Sequence, residues 1–331
     1  MTAKKQAKQQ QLNRRHLLMA GGATGLAAPA LIGAPANAMP LTQEPKVEKG
    51  EIIYLPMFDA KAVTARDVVI WLPPEEMRTG PLPVIYVNDG EAIFDANASP
   101  YGTSWEMDLI LHMLAHQGVG PVMVVGIAAD AERRSREYNL PTVAAYFDDV
   151  LGDLLNRSCG GENLTGDYFD FIINELKPYV DANFDTLPDR DNTYMIGASM
   201  GGMLPLEAQL SHADVFAGGI GMSAHLVLFG PGLQFSDYPA DAGARVEAAL
   251  REALVAHLPA PNGNRLYFQR GTVDLDALYG GSHTATAEAL LRKGYNFGQD
   301  FKMVIDKGAS HYDTFWKLRL PEALRFMING A

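Results

Sequence analysis

The chain has 331 residues, a formal charge of −12 and a single cysteine, Cys159. That acidity disfavours DNA, RNA or anionic lipid as partners, and one cysteine excludes an internal disulfide or a thiolate metal cluster. With 47% hydrophobic residues, the length suits one large α/β domain or two small ones.

Residues 1–38 read as an export signal. Lys4, Lys5, Lys8, Arg14 and Arg15 form a basic start without an acid, Leu17 to Ala34 is mildly apolar, and Ala36-Asn37-Ala38 has the small-x-small form of a signal-peptidase site. Asn13-Arg14-Arg15-His16-Leu17-Leu18 resembles a twin-arginine signal, which hands folded proteins to a dedicated export machinery, although Leu17 stands where a Phe is usual. An uncleaved anchor is the alternative, opposed by Gly21-Gly22 and Pro29. The expected product is periplasmic or secreted, with no stable membrane insertion after cleavage. Residues 39–50, with Pro40 and Pro45, read as a linker ahead of a folded domain over 51–331.

Within that domain Glu51 to Pro56 and Asp67 to Leu72 read as opening, antiparallel strands. Leu82 to Asn88 is a stronger apolar run that breaks at Asp89-Gly90, and Trp105 to His116 carries apolar residues at helical spacing. Pro121 to Ile127 is a further strand, and Tyr168 to Phe184 a long amphipathic helix. Strands are expected at Thr193 to Ala198, Val215 to Ser223, Arg265 to Arg270 and Phe301 to Ile305. Helices are expected at Ala242 to His257, His283 to Lys293 and Pro321 to Ile328. Strands alternating with helices predict a mostly parallel central sheet with helices on both faces, in a single domain.

The strand at Thr193 ends in Gly197-Ala198-Ser199-Met200-Gly201, with a helix-compatible stretch directly behind it. Strand, Gly-x-Ser-x-Gly and helix in that order form a nucleophile elbow, in which two residues without Cβ let strand and helix cross closely. Ser199 then stands at a helix N-terminus, where free backbone N–H groups face a developing oxyanion.

A serine hydroxyl needs a base and a carboxylate that orients the base, in the chain order Ser, acid, His. His311, in Gly308-Ala309-Ser310-His311-Tyr312 after the last strand, is the histidine that comes late enough on a loop. His112 and His116 are four apart on a helix but lack a third ligand, so no metal or organic cofactor is expected. The acid belongs in Gly271-Thr272-Val273-Asp274-Leu275-Asp276: Asp274 has the usual Gly-x-x-Asp spacing, and Asp276 is the alternative. Either one is also a candidate helix cap. The backbone N–H of Met200 is the first oxyanion donor by construction, and the second is expected from Gly90 or Glu91, after the Leu82 to Asn88 strand.

These residues are similar to those of the putative-esterase family, which includes esterase D, enterochelin esterases, feruloyl esterases and mycolyltransferases. The landmarks are Val84 to Gly90, Trp105, Val124-Val125-Gly126-Ile127, Arg133-Arg134 with Glu137-Tyr138, Glu175 to Pro178, Gly197 to Gly202, Gly271-Thr272, and His311 with Trp316. The resemblance runs over nearly all of 50–330 and implies an α/β-hydrolase sheet and ester or acyl-transfer chemistry. One departure and one alignment stand out. Asn88-Asp89-Gly90-Glu91 replaces His-Asp-Gly-Gln, and the pattern Gly-Thr-x-x-Leu-Asp aligns the family's acid with Asp276 rather than Asp274.

Trp105, His225 and Phe229 are the candidate pocket residues, with Leu226, Leu228 and Phe235 as an apolar set after the elbow strand. Packing beneath a loop is the competing reading of that set. Ala128 to Gly166 is expected to cross the top of the site, and Arg133, Arg134 and Arg136 to form a solvated or salt-bridged face. The expected activity is hydrolysis of a small-molecule or carbohydrate-linked ester through an acyl-enzyme. The alternatives are acyl transfer by the same residues, or a carbohydrate- or siderophore-binding relative that has lost catalysis.

Overall fold

The computed structural model describes residues 41–329, so the segment read as an export signal lies outside the described residues. Eight strands form one sheet: β1 (Glu51–Phe58), β2 (Arg66–Leu72), β3 (Val84–Asn88), β4 (Met123–Ile127), β5 (Thr193–Ala198), β6 (Gly218–Met222), β7 (Arg265–Arg270) and β8 (Phe301–Ile305). Their order is β1-β2-β4-β3-β5-β6-β7-β8. The β1–β2 and β2–β4 pairs are antiparallel, and every pair from β4 to β8 is parallel. This is the α/β-hydrolase fold, and each of the eight predicted strands is present.

Helices α1 (Met107–His116), α2 (Asp149–Cys159), α3 (Thr165–Asp170), α4 (Lys177–Asn183), α5 (Leu204–Ser211), α6 (Ala242–His257), α7 (Gly280–Arg292) and α8 (Asp313–Asn329) cover the sheet. None of the described helices is long and apolar enough to cross a membrane. Successive strand residues point to opposite faces, and β3 shows the consequence. Val84 and Tyr86 join the core shared with α4 to α7, whereas Ile85 and Val87 join the core shared with α1 and α8. Because both faces are buried, the strands read as unbroken apolar runs.

Three segments depart from the sequence reading. The long helix expected at Tyr168 to Phe184 is α3 and α4 joined by a π-helical stretch, Phe171–Leu176. Within it the Glu175 carboxylate accepts from the N–H groups of Lys61 and Ala62, each at 2.8 Å. The last helix begins at Asp313, and Pro321 lies inside it rather than at its start. Proline is favoured in a first helical turn but is also borne in an interior where packing holds the chain. Residues 41–50 do not hang free: the Glu48 N–H donates to Asp108 at 2.9 Å, and the Trp71 indole to the Lys49 carbonyl at 2.7 Å.

Candidate active site

Parallel strands put their carboxyl ends at one edge, and the loops leaving β3, β5, β6, β7 and β8 there build the site. The β5 loop carries Ser199 at φ 56°, a left-handed conformation that a non-glycine residue adopts only when its surroundings enforce it. Those surroundings are visible. A Cβ on Gly197 would come within 2.2 Å of the Gly201 carbonyl oxygen, so strand and helix cross at a distance only glycine allows. The Ser199 N–H donates to Met222 O at 2.9 Å, and Ser199 O accepts from the His225 N–H at 2.9 Å. The turn is thereby tied to the end of β6.

His311 comes from the loop after β8 and is buried. Its Nε2 lies 2.8 Å from Ser199 Oγ and its Nδ1 lies 2.6 Å from Asp276 Oδ1. A carboxylate can only accept, so Nδ1 carries the proton and Nε2 faces the serine hydroxyl as acceptor. The structure therefore does not bring Asp274, the first-choice acid, to the imidazole. Asp274 lies exposed at φ 53°, two residues before the buried Asp276. The difference is the backbone path: the chain turns into a 3₁₀ segment, Asp274–Tyr279, which directs Asp276 inward. A Cβ on Gly271 would sit 2.1 Å from Ala309 O, so the acid loop and the histidine loop are in backbone contact.

Asp276 is fully buried and fully partnered. Its Oδ2 accepts from the Ser223 hydroxyl at 2.6 Å and the Gly271 N–H at 2.5 Å, while Oδ1 faces His311. Burial alone would raise its pKa, but the bond and charge of His311, then Ser223 and Gly271, outweigh it and hold the carboxyl below its usual value. Ser223 in turn accepts from the Trp316 indole N–H at 2.8 Å. The rings of Trp316 and Tyr279 stand edge-on to the imidazole, with centroids at 5.1 Å and 5.8 Å.

Met200 follows the serine at the entry to α5, where its N–H is part of the turn. Gly90 opens a short 3₁₀ turn after β3, and a Cβ there would fall 2.4 Å from Gly126 C and Ile127 N, so the loop lies flat against the end of β4. Asn88 bolts that loop to the elbow: its side-chain amide donates to Ile196 O and Gly201 O, each at 3.2 Å. Asp89, at φ 57°, takes both Nε and Nη2 of Arg134, at 2.6 and 2.8 Å. Arg134 is thus committed inside the protein, as Glu137 is to Arg66 at 2.8 Å. The Glu91 side chain is also inside, 1% exposed.

The three candidate pocket residues are buried and packed against neighbours. Trp105 is buried behind Trp316, their rings edge to face at 6.3 Å, and its indole N–H donates to Asp313. Phe229 stacks on Tyr238 at 3.9 Å. His225 has both nitrogens engaged, Nε2 with Phe229 O and Nδ1 with the Tyr279 hydroxyl, each at 2.6 Å. The carbonyl must accept, which places the ring proton on Nε2 and makes Nδ1 the acceptor of the tyrosine proton. Burial drives the pKa of His225 down to about 4, so the ring stays neutral and clips the loop after β6. Sequence reading missed Ser223, Tyr279 and the Asn88 cross-link, because each acts through a partner far away in the chain.

The family model described as Putative esterase matches residues 62–327. The siderophore triacetylfusarinine C esterase of Aspergillus fumigatus is 30% identical over 143 residues, which is 41% of this chain and 42% of that protein. The matched stretches span about half the length of the curated relatives. Among solved structures, a ferulic acid esterase has a TM-score of 0.56 at 17% identity, over 86% of this chain and 100% of that one. The enterobactin esterase of Shigella flexneri has a TM-score of 0.57 at 18% identity, over 91% of this chain and 62% of that one.

Proposed function

The chain belongs to the putative esterase family, and on that premise we propose that it is a serine carboxylic ester hydrolase driven by Ser199, His311 and Asp276. The observation that carries the reading is the unbroken hydrogen-bonded line Asp276–His311–Ser199, at 2.6 and 2.8 Å. Nε2 of His311 takes the hydroxyl proton as Ser199 Oγ attacks the ester carbonyl. The negative charge that develops on the carbonyl oxygen is met by the N–H of Met200 and by one from the Gly90–Glu91 segment. Each such donor contributes about 2.7–4 kcal/mol to the transition state. His311 then protonates the departing alcohol. Water, activated by the same imidazole, releases the acid from the acyl-serine. Asp276 stays ionised and holds the imidazole with its Nδ1 proton inward.

Small-molecule or carbohydrate-linked esters are the proposed substrates. The relatives named for triacetylfusarinine C and enterobactin make siderophore esters the first set to try, followed by feruloyl esters. The basic start, paired Arg14-Arg15 and Ala36-Asn37-Ala38 support twin-arginine export of the folded enzyme to the periplasm or medium. Pre-steady-state hydrolysis of p-nitrophenyl acetate tests the reading. A burst of about one p-nitrophenolate per protein, lost in Ser199→Ala and His311→Ala, is expected. Turnover that survives Ser199→Ala overturns it.

A further inference from the structure

Glu91 is a second buried carboxyl at this edge, and the reaction as described does not use its side chain. It is 1% exposed, between buried Gly90 and buried Ala92, Ile93 and Phe94. One oxygen accepts from the Ala129 N–H at 3.2 Å, and the other lies 3.5 Å from the Tyr101 hydroxyl. The cations nearby are spoken for. Arg134 is bidentate on Asp89, and Arg66, from β2, is bidentate on Glu137. Asp67, also on β2, is occupied by the Tyr54 hydroxyl and the Met57 N–H. Asp130, beyond Ala129, takes the Thr64 hydroxyl and the N–H groups of Glu132 and Arg133. Asp313, from α8, takes Thr103 and Trp105. Tyr138 presents a hydroxyl and no charge. An ionised Glu91 would therefore be a buried charge next to Asp89 with no cation of its own, a state proteins avoid by keeping the proton.

We propose that Glu91 is a positioning residue held as a neutral carboxylic acid beneath the oxyanion loop, and that losing its proton disables the site in alkaline solution. The proposal rests on the esterase reading of Ser199. Burial first, then the negative charge of Asp89, pushes the pKa of Glu91 up to about 8, against the pull of backbone N–H groups and Arg134. The neutral acid leaves the loop uncharged where the tetrahedral intermediate becomes anionic. The carboxylate would repel that intermediate and would itself seek water, pulling the Gly90–Glu91 turn away from β4. A serine–histidine pair alone gives a rate that rises as the imidazole loses its proton and then levels. Glu91 adds a falling limb above neutrality.

The test compares the full-length wild type with Glu91→Gln, which keeps the shape of the neutral acid and cannot ionise, with Ser199→Ala as the blank for spontaneous hydrolysis. The readout is kcat/KM for p-nitrophenyl acetate at pH 9.5 divided by its value at pH 7, a ratio independent of any change in the basal rate. A ratio lower in wild type than in E91Q by about thirty-fold is expected for one inactivating proton near the quoted value. Equal ratios overturn the proposal. Infrared difference spectra of wild type against E91Q provide a readout that needs no turnover. The carbonyl stretch of a protonated carboxyl group should be present at pH 6.5, absent at pH 9.5 and missing from E91Q. No such band at pH 6.5 overturns the proposal even if Ser199 reacts. A band without turnover or serine labelling would sink the esterase reading and leave the protonated Glu91 standing.

Discussion

Asp276 and Glu91 are both carboxyl groups with essentially no exposure at the same edge of the same sheet, yet their surroundings drive them to opposite charge states. Asp276 faces a ring N–H, a hydroxyl and a backbone N–H within 2.6 Å. Those donors outweigh burial and keep it ionised. Glu91 has the Ala129 N–H at 3.2 Å, its own backbone N–H, a distant hydroxyl and the charge of Asp89 as a neighbour. Burial therefore wins and the proton stays. What decides the charge of a buried carboxyl here is whether the donors aimed at it and the sign of its neighbour can offset the cost of burial. In the proposed mechanism the acid that steadies the imidazolium is charged, and the acid beneath the oxyanion loop is neutral.

The contrast is broken most severely by exchanging the charge of the first acid. Asp276→Asn should lower kcat by roughly three to four orders of magnitude, because the amide donates to Nδ1 and inverts the imidazole tautomer. Asp274→Asn should stay within about three-fold of wild type, since that carboxylate is exposed and the ring nitrogen is taken by Asp276. Steady-state kinetics on one ester decides between them, and the reverse ranking would refute the placement of the acid. A smaller effect is expected from Ser223→Ala, which removes one of three donors and should lower kcat by about ten-fold. Its acid limb should also move to higher pH, because Asp276 is less well held as the anion.

The two acids should also leave opposite marks on stability. The folded-state pKa of Asp276 is depressed, so its contribution is present above the unfolded value and is lost as pH falls through the folded one. Glu91 runs the other way. With its folded pKa raised from 4.5 to about 8, the unfolded chain gives up the proton first, and stability declines as pH rises between those values. The melting temperature of E91Q relative to wild type should therefore climb by several degrees from pH 5 to pH 9. A constant difference would contradict the neutral acid.

Which parts of this were legible in the sequence follows from how local their causes are. The eight strands were readable because sheets covered on both faces demand continuous apolar runs. Ser199 was readable because the steric demand for Gly197 and Gly201 is written within five residues. His311 followed from chain order. The acid was not settled, because Asp274 and Asp276 differ only in which way a 3₁₀ turn directs them, and that depends on Gly271 touching Ala309. Helix α2 went unseen inside Ala128 to Gly166. It is held partly from outside, where Ser158 takes the N–H groups of Gly230 and Gly232. The bond from His225 to Tyr279 was not readable, because nothing local announces a partner fifty-four residues away.

The measurement that reaches the central claim most directly is mass spectrometry of the intact protein and its peptides after reaction with a fluorophosphonate. One adduct per molecule, mapped to Ser199 and absent in both Ser199→Ala and protein unfolded before exposure, is the predicted result. An adduct on another residue, or none on folded protein, would contradict the assignment of Ser199 as an activated nucleophile.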